Sequence, residues 1–343
     1  MKRIPLKKAI FWNVLTVILL LVCTEIVLRI SGYQPYDLSK LPQPSVKVSP
    51  GNKYFQKDSL LGYRNLPGKF RVRLKDTLDF VTCHNEETNR MTSSIENDSL
   101  SRRPELWFFG GSYTHGWSIN DEETFPWLVQ SELKDFKVEN FGVIGYGTIH
   151  FYLQLKKSLQ ERQKPKMVVI NHAYFHLERN LFIFERRRLL DSWSFLGPLQ
   201  QPYAKVDFMA NISLSQTDFV YHPWSLSRYS SLCRFIQTGV ENFTDWINRK
   251  HEVAIIEYLF KEIESLCRLH QVDLLIANLT EGGYPIEVFC LENEIPFVDL
   301  SIDLNKKENT NEPIDGHPSA KANELYADKL MSFLDEILAD CSR

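Results

Sequence analysis

The chain has 343 residues, of which 43% are hydrophobic and 13% aromatic, enough for one substantial core with an accessory region. Its formal net charge of −3 gives no basic surface of the kind that binds nucleic acid, and its many aromatic residues argue against disorder. The six cysteines show no CxxC pair and no zinc-like spacing, so the sequence contains no motif for a metal site.

The N-terminus predicts a membrane anchor. Residues 9–28 (AIFWNVLTVILLLVCTEIVL) are mostly apolar and carry one charge, Glu25, near the far end. A helix needs about 20 such residues to span a bilayer, and the four cations within residues 2–8 favour a cytoplasmic N-terminus. We interpret residues 1–30 as a cytoplasmic tip and a transmembrane signal anchor held in the lipid bilayer, with a cleaved signal peptide as the alternative. The rest of the chain is then periplasmic or extracellular.

Two short regions separate this anchor from the main domain. Residues 31–55 contain several prolines and little periodicity, which is typical of a linker. Residues 56–103 contain alternating stretches such as residues 70–74 (FRVRL), which predict a small β-rich cap segment.

From residue 104 to residue 338 the pattern is that of an α/β domain. The predicted strands are short and apolar: Leu106–Phe109, Val138–Phe141, Met167–Ile170, Leu274–Asn278 and Pro296–Leu300. Amphipathic helices are predicted between them at Thr124–Leu133, Ile149–Gln160 and Val253–Leu269. Such alternation indicates a parallel five-stranded sheet covered on both faces. Residues 179–250 break the alternation and are interpreted as an insertion that borders the mouth of the site, because loops that follow parallel strands emerge where ligands bind.

Two segments far apart in the chain carry candidate catalytic residues. In residues 108–116 (FFGGSYTHG), Ser112 follows a buried strand, and the two glycines allow a sharp turn. Residues 315–319 (DGHPS) supply Asp315 and His317 just before a helical pattern. A serine becomes a nucleophile when a histidine accepts its proton and an acid orients that histidine. The first segment is not the Gly-x-Ser-x-Gly elbow of α/β-hydrolases, since Thr114 replaces the second glycine.

Over about residues 105–330 the chain resembles the SGNH (GDSL-type) hydrolases, which act as esterases, lipases, and carbohydrate deacetylases or acyltransferases. The resemblance implies a flavodoxin-like three-layer α/β/α fold. It makes Ser112 the nucleophile and an oxyanion donor through its backbone N–H, His317 the general base and Asp315 the orienting acid. Residues 140–148 (NFGVIGYGT) resemble the second conserved block of the family, which gives Gly145 a backbone N–H in the oxyanion hole.

The spacing of the acid and the base departs from the family pattern. The family usually has Asp-x-x-His, whereas this chain has Asp315 only two residues before His317. We therefore expect Asp315 to orient the imidazole less directly than is usual.

The third block also departs from the pattern. The family usually has Gly-x-Asn-Asp, with the asparagine donating to the oxyanion. The equivalent stretch here is residues 171–176 (NHAYFH), in which Phe175 takes the place of the asparagine. Asn171, His172 and His176 are the candidates to supply the missing donor.

Other side chains near these blocks have predicted roles. Tyr113 and Tyr146 lie next to the oxyanion positions and are predicted to line the substrate pocket, with His176 as a further candidate. His115 is interpreted as structural, since its place on the helix after Ser112 does not direct it to the serine hydroxyl.

These features predict an extracytoplasmic serine esterase that needs no metal and no organic cofactor. By family analogy, its substrate is an O-acylated, for example acetylated, glycan or lipid. The alternative is a catalytically degraded protein or an acyltransferase component of cell-envelope polysaccharide assembly.

Overall fold

The computed structural model describes residues 5–37, 45–94, 102–190, 200–218 and 221–340. The described residues form two compact units. The smaller unit comprises the described parts of residues 1–43, 183–194 and 220–247, and the larger unit comprises the described remainder.

The helices and strands alternate along most of the chain. The α-helices are α1 (Leu6–Ile30), α2 (Ser112–His115), α3 (Phe125–Glu132), α4 (Thr148–Glu161), α5 (His176–Arg179), α6 (Phe184–Leu190), α7 (Ser231–Arg249), α8 (Glu252–His270), α9 (Ile286–Glu292) and α10 (Ala320–Asp340). The strands are β1 (Val46–Ser49), β2 (Phe55–Asp58), β3 (Gly62–Asn65), β4 (Gly68–Leu74), β5 (Leu78–His84), β6 (Glu105–Phe109), β7 (Lys137–Asn140), β8 (Met167–His172), β9 (Gln200–Val206), β10 (Ile212–Asp218), β11 (Asp273–Asn278), β12 (Phe297–Asp299), β13 (Thr310–Asn311) and β14 (Asp315–Pro318).

The larger unit is built on a parallel five-stranded sheet of order β12-β11-β8-β6-β7. Numbered by their appearance in the chain, these strands run 2-1-3-4-5, the order of flavodoxin-like folds. The predicted fold class is confirmed, and the strands lie within two residues of their predicted bounds. The nucleophile candidate follows β6, at the point where the strand order reverses.

The sheet is covered on both faces because successive side chains of a strand point to opposite sides. On one side, Leu106 and Phe108 pack in a cluster with residues of α3 and α10, including Phe125 and Tyr326. On the other side, α4 and α8 pack against each other, and their buried residues include Phe151. The three layers therefore enclose β6 and β8 completely.

The β-rich segment is also present in the larger unit. β1, β4 and β5 form an antiparallel sheet, and β2 pairs with β3 in a hairpin. In β4 the buried Phe70, Val72 and Leu74 alternate with exposed arginines, as the sequence pattern predicts. The structure corrects the linker boundary, since β1 lies within residues 31–55 and pairs with β4 in register.

Arg90 connects this antiparallel sheet to the parallel sheet. Its backbone forms antiparallel bridges to His84 at the end of β5 and to Asn140 at the end of β7. The β-rich segment is therefore joined by hydrogen bonds to the edge of the parallel sheet.

The smaller unit contains α1, α6 and most of α7. Among the described residues, α1 is the helix that is long and apolar enough to cross a membrane. Its most apolar stretch of 18 residues has a mean hydropathy of 2.3, and none of that stretch is buried. The predicted insertion is divided, since its described residues 183–190 and 221–247 group with α1 whereas β9 and β10 belong to the larger unit. Its place at the mouth of the site stays a prediction.

Candidate active site

Ser112 stands at the turn between β6 and α2. β6 is buried along most of its length between β7 and β8, and it ends at Phe109. The chain then turns through two glycines, and Ser112 begins α2 with 2% of its surface exposed. A Cβ atom on Gly111 would lie 2.8 Å from Nε2 of His176, so a larger residue there would require the His176 side chain of α5 to shift.

The structure brings the predicted nucleophile, base and acid together. His317 Nε2 lies 2.9 Å from Ser112 Oγ, and His317 Nδ1 lies 2.8 Å from Asp315 Oδ1. With Asp315 accepting from the Nδ1–H group, the Nε2 lone pair faces the serine hydroxyl. This is the arrangement in which imidazole can take the proton of a serine.

The expectation that the short Asp-x-His spacing weakens this contact is wrong. Asp315 and His317 both lie on β14, whose backbone is extended. In a strand, side chains two residues apart point to the same side, so Asp315 reaches the imidazole directly.

The charge state of Asp315 follows from its surroundings. Burial tends to raise the pKa of this carboxyl, but the hydrogen bond and the charge of His317 outweigh it and lower the pKa overall, with smaller contributions from Ser118 and Lys75. Asp315 is thus held as a carboxylate, the form that stabilises an imidazolium.

Tyr113 and Gly145 occupy places consistent with their predicted roles. The ring of Tyr113 lies edge-on to His317, with 5.7 Å between centroids, and edge-on to Phe175 at 5.0 Å. Gly145 follows β7 with a φ of +83°, a conformation that L-residues rarely adopt. The phenol of Tyr63, from β3, donates to the carbonyl of Ile144 at 2.7 Å and so holds this loop.

Two predicted side-chain roles are corrected because the groups are buried and already bonded. Tyr146 is fully buried, its hydroxyl donates to the carbonyl of Tyr63, and its ring stacks on His150. It does not line a pocket. Asn171 is also fully buried, and its Nδ2 donates to the carbonyl of Phe109 at 3.1 Å, so this amide serves the sheet rather than the oxyanion.

The two histidines of the third block are buried as well. The ring of His172 packs edge-on against Phe260 of α8, and burial lowers its pKa to about 4. His176 is 1% exposed, and its Nδ1 accepts from the N–H of Ala173 at 3.1 Å. Both rings are buried, and that of His176 lies beside the backbone of Gly111, so their role as oxyanion donors stays a prediction.

Arg179, the last residue of α5, lies beside the glycine turn that precedes Ser112. Its Nη1 donates to the carbonyl of Tyr146 at 3.1 Å and would lie 3.2 Å from a Cβ atom on Gly111. Its guanidinium lies over the ring of Phe175, 4.2 Å from the centroid. In the sequence, Arg179 follows the stretch that replaces the family's third block, but the sequence does not show that its side chain lies beside Gly111.

Arg90 holds the backbone next to Ser112, the candidate nucleophile. Its side chain is fully buried and pairs with Asp121 at 2.8 Å. It also donates to the carbonyls of His115 at 2.6 Å and Ile119 at 2.8 Å, and to that of Gly116. These carbonyls belong to the turn that follows Ser112. No sequence signal marks this arginine, because its partners are backbone atoms distant in the chain.

Two buried histidines close to Arg90, His84 and His115, are held in the neutral state. His84 Nδ1 donates to the carbonyl of Leu66 at 2.8 Å, which leaves its Nε2 to accept from His115 Nε2 at 3.1 Å. Burial, followed by the charge of Arg90, lowers the pKa of His84 to about 3 and that of His115 well below its usual value. The structural role expected for His115 agrees with this burial.

We expect these buried neutral histidines to make the folded state sensitive to acid. In the unfolded chain a histidine titrates near 6.5, so below that pH the unfolded state binds protons that folded His84, His115 and His172 do not. Stability is therefore complete above about pH 6.5 and falls at lower pH, by about 1.4 kcal/mol per histidine per pH unit. Urea unfolding at pH 7 and pH 5 measures this slope.

The controls for that slope are single substitutions. His84→Asn should make the dependence on pH shallower, whereas His222→Asn, at an exposed position, should leave it unchanged. Equal unfolding free energies of the unsubstituted chain at the two pH values would contradict the assignment of neutral buried histidines.

Within the described ranges, no three His, Cys, Asp or Glu side chains are grouped as a metal site. The functional groups at hand are therefore the hydroxyl, the imidazole, the carboxylate, backbone N–H groups and the guanidinium of Arg179.

The sequence matches no family model and no curated protein. Several solved structures are similar in outline. One is a member of the lipolytic protein G-D-S-L family from Veillonella parvula, 10% identical over 66% of this chain and 96% of that one, with a TM-score of 0.37. Another is an alpha/beta hydrolase enzyme from the metagenome of Lake Arreo, 10% identical over 67% and 94%, with a TM-score of 0.37. A third is an SGNH-hydrolase family esterase, 12% identical over 70% and 97%, with a TM-score of 0.33. Similarity at this level does not by itself assign an activity.

Proposed function

We propose that the chain is a serine hydrolase of the SGNH type that cleaves ester bonds through an acyl-enzyme on Ser112. The observation that carries the proposal is the continuous relay from Ser112 Oγ through His317 to Asp315, with distances of 2.9 and 2.8 Å. Both lie within the range required of a nucleophile and its base.

The reaction follows from this relay. His317 Nε2 accepts the hydroxyl proton while Ser112 Oγ bonds to the ester carbonyl carbon. The backbone N–H groups of Ser112 and Gly145 stabilise the oxyanion. His317 then returns the proton to the leaving alcohol as the C–O bond breaks. A water molecule, activated by the same imidazole, releases the acid and restores the serine.

Arg179 supplies positive charge where the family's third donor is replaced by Phe175. Its guanidinium is held between the ring of Phe175 and the carbonyl of Tyr146, beside the backbone of Gly111. A cation fixed there stabilises charge that develops on the carbonyl oxygen.

The expected result for Arg179→Gln is a kcat reduced by about 10²- to 10³-fold, as for loss of one oxyanion donor, with a smaller change in KM. Arg249→Gln is the matched control, since Arg249 forms a partly exposed ion pair with Glu178. Steady-state hydrolysis of a p-nitrophenyl ester gives both constants. An unchanged kcat in Arg179→Gln would exclude this role.

The experiment that tests the function is labelling with a fluorophosphonate, which reacts with an activated serine whatever the natural substrate. The full chain in detergent should be labelled, and peptide mass spectrometry should place the adduct on Ser112. Absence of labelling would favour the alternative of a catalytically degraded envelope component. Labelling together with acyl transfer to a sugar, in place of release to water, would identify an acyltransferase.

We further propose that α1 anchors the chain in a membrane with Ser112 outside the cytoplasm, and that the substrate is an O-acylated glycan or lipid. The anchor is supported by the length and hydropathy of α1 and by Lys7 and Lys8 at its start.

Topology can be measured with reporters fused after residue 343. A reporter that is active only in the cytoplasm should stay silent, and one that is active only outside it should give signal. The opposite pair of results would place the catalytic unit in the cytoplasm.

A further inference from the structure

Helix α7 has its polar and apolar sides reversed relative to an ordinary surface helix. The buried residues of Ser231–Arg249 are polar: Ser231, Gln237, Glu241 and Asp245. The exposed residues on the other side are large and apolar: Phe235, Ile236, Val240, Phe243, Trp246 and Ile247. Their spacing repeats every three to four residues, so they form one continuous stripe, here called the α7 apolar face.

The polar side is fixed against the smaller unit by hydrogen bonds. Glu241 accepts from the hydroxyl of Tyr221 at 2.8 Å and from Gln237 at 2.7 Å, and it pairs with Arg188. Asp245 accepts from the backbone N–H of Phe184 at 2.8 Å. Rotating α7 about its axis would break these hydrogen bonds and leave Glu241 and Asp245 without their partners, at a cost in free energy. The α7 apolar face therefore stays on the exposed side.

The start of α7 is attached to the end of α1. Glu25 accepts from the backbone N–H groups of Ser231 at 3.0 Å and Leu232 at 2.8 Å. Arg29 pairs with Glu25 at 2.6 Å and donates to the carbonyl of Tyr229 at 2.7 Å. A carboxylate at this position satisfies the open N–H groups at a helix start. This contact explains why a charged residue, Glu25, occurs within the apolar stretch of residues 9–28.

The contact between α1 and α7 determines the depth at which α7 lies relative to a bilayer that α1 crosses. Glu25 and Arg29 lie in the last turns of α1, whose 25 residues span about 37 Å at 1.5 Å per residue. A helix of that length that crosses a hydrocarbon core of about 30 Å brings its last turns to the headgroup level. Tyr229, which precedes α7, is 76% exposed, and tyrosine is enriched at that level.

We propose that the α7 apolar face lies in the interfacial layer of the same bilayer that α1 spans, so that the chain has a second, monotopic contact with lipid. The inference rests on the anchor proposed above. Lipid is the occupant because the Glu25 contact joins α7, which carries this face, to α1, and α1 is itself exposed along its length. An amphipathic helix of this kind buries its apolar side about 5–10 Å into the boundary between headgroups and acyl chains.

The test places a photo-crosslinking residue on this face in the full chain. p-Benzoylphenylalanine replaces Phe243, and in a parallel variant Phe235, and the protein is embedded in nanodiscs of phosphatidylcholine and phosphatidylglycerol. After irradiation, peptide mass spectrometry should find lipid adducts at both positions. Leu291 is the matched negative control, since it is 79% exposed on α9 of the larger unit and should give none. Trp12, in α1, is the positive control for the anchor.

The outcomes separate this proposal from the others. Lipid adducts at Trp12 without adducts at Phe243 and Phe235 would overturn the interfacial helix and leave the anchor standing. Crosslinks from position 243 to a second copy of the chain would overturn the interfacial helix in favour of self-association. Equal lipid adducts at Leu291 would show that the labelling is not specific to the α7 apolar face, and would also overturn the proposal. Absence of adducts at Trp12 would overturn both the anchor and the inference. Fluorophosphonate labelling of Ser112 in the same samples shows whether the fold and the proposed hydrolase survive in each case.

Discussion

Ser112→Ala and His317→Ala should each abolish fluorophosphonate labelling and lower ester hydrolysis by about 10⁶-fold in kcat, the scale seen when a serine hydrolase loses its nucleophile or its base. The double variant should be little slower than either single variant, because the hydroxyl and the imidazole act as one unit across the 2.9 Å contact. Asp315→Asn should cost less, since the carboxylate orients the base and does not take the serine proton. Labelling intensity and initial rates of p-nitrophenyl ester hydrolysis are the measurements.

Ser332→Ala serves as the control for these variants, because Ser332 lies exposed on α10 and bonds only within its own helix. Its labelling should equal that of the unsubstituted chain. Persistence of labelling in Ser112→Ala would assign the reactive nucleophile elsewhere and return Ser112 to the role of a turn residue.

Arg90→Ala is expected to have the largest effect on stability. Removal of the guanidinium leaves the buried Asp121 without its partner and the carbonyls of the turn after Ser112 without donors. Loss of one member of a buried ion pair typically costs about 3–5 kcal/mol. The urea midpoint of the full chain in detergent, followed by tryptophan fluorescence, should therefore fall strongly.

The matched control is Arg73→Ala, which removes an arginine of the same segment from an exposed pair with Asp79. Exposed ion pairs contribute little to stability, so its midpoint should change little. Similar midpoints for the two variants would mean that Arg90 is not the support that its contacts indicate.

The parallel sheet could be predicted because each of its strands is marked by a pattern of neighbouring residues in the sequence. The five core strands are short apolar runs bounded by turn residues, and the helices between them show a period near 3.6. Ser112, Asp315 and His317 could be found because each follows or begins such an element, and strands that share an edge bring their ends together.

The supporting residues could not be found in this way. Arg90 acts through backbone carbonyls some 25 to 30 residues away in the chain, and no sequence pattern encodes such partners. Asn171 and Tyr146 occupy positions that suit an oxyanion donor and a pocket wall. Whether a polar side chain faces the substrate or closes a gap in the core depends on packing around it, and in both cases the neighbouring backbone takes the hydrogen bond.

The contacts of the β-rich segment have a consequence for where this chain can be divided. Tyr63 holds the loop of Gly145, and Arg90 holds the turn after Ser112, so both loops of the candidate site are braced from residues that precede β6. A fragment beginning at residue 104 would keep every proposed catalytic group and lose both braces. A fragment that keeps both braces, together with the sheet to which β1 belongs, therefore starts before β1. Truncation at the apparent edge of the α/β domain would separate the candidate site from the residues that hold its loops in place.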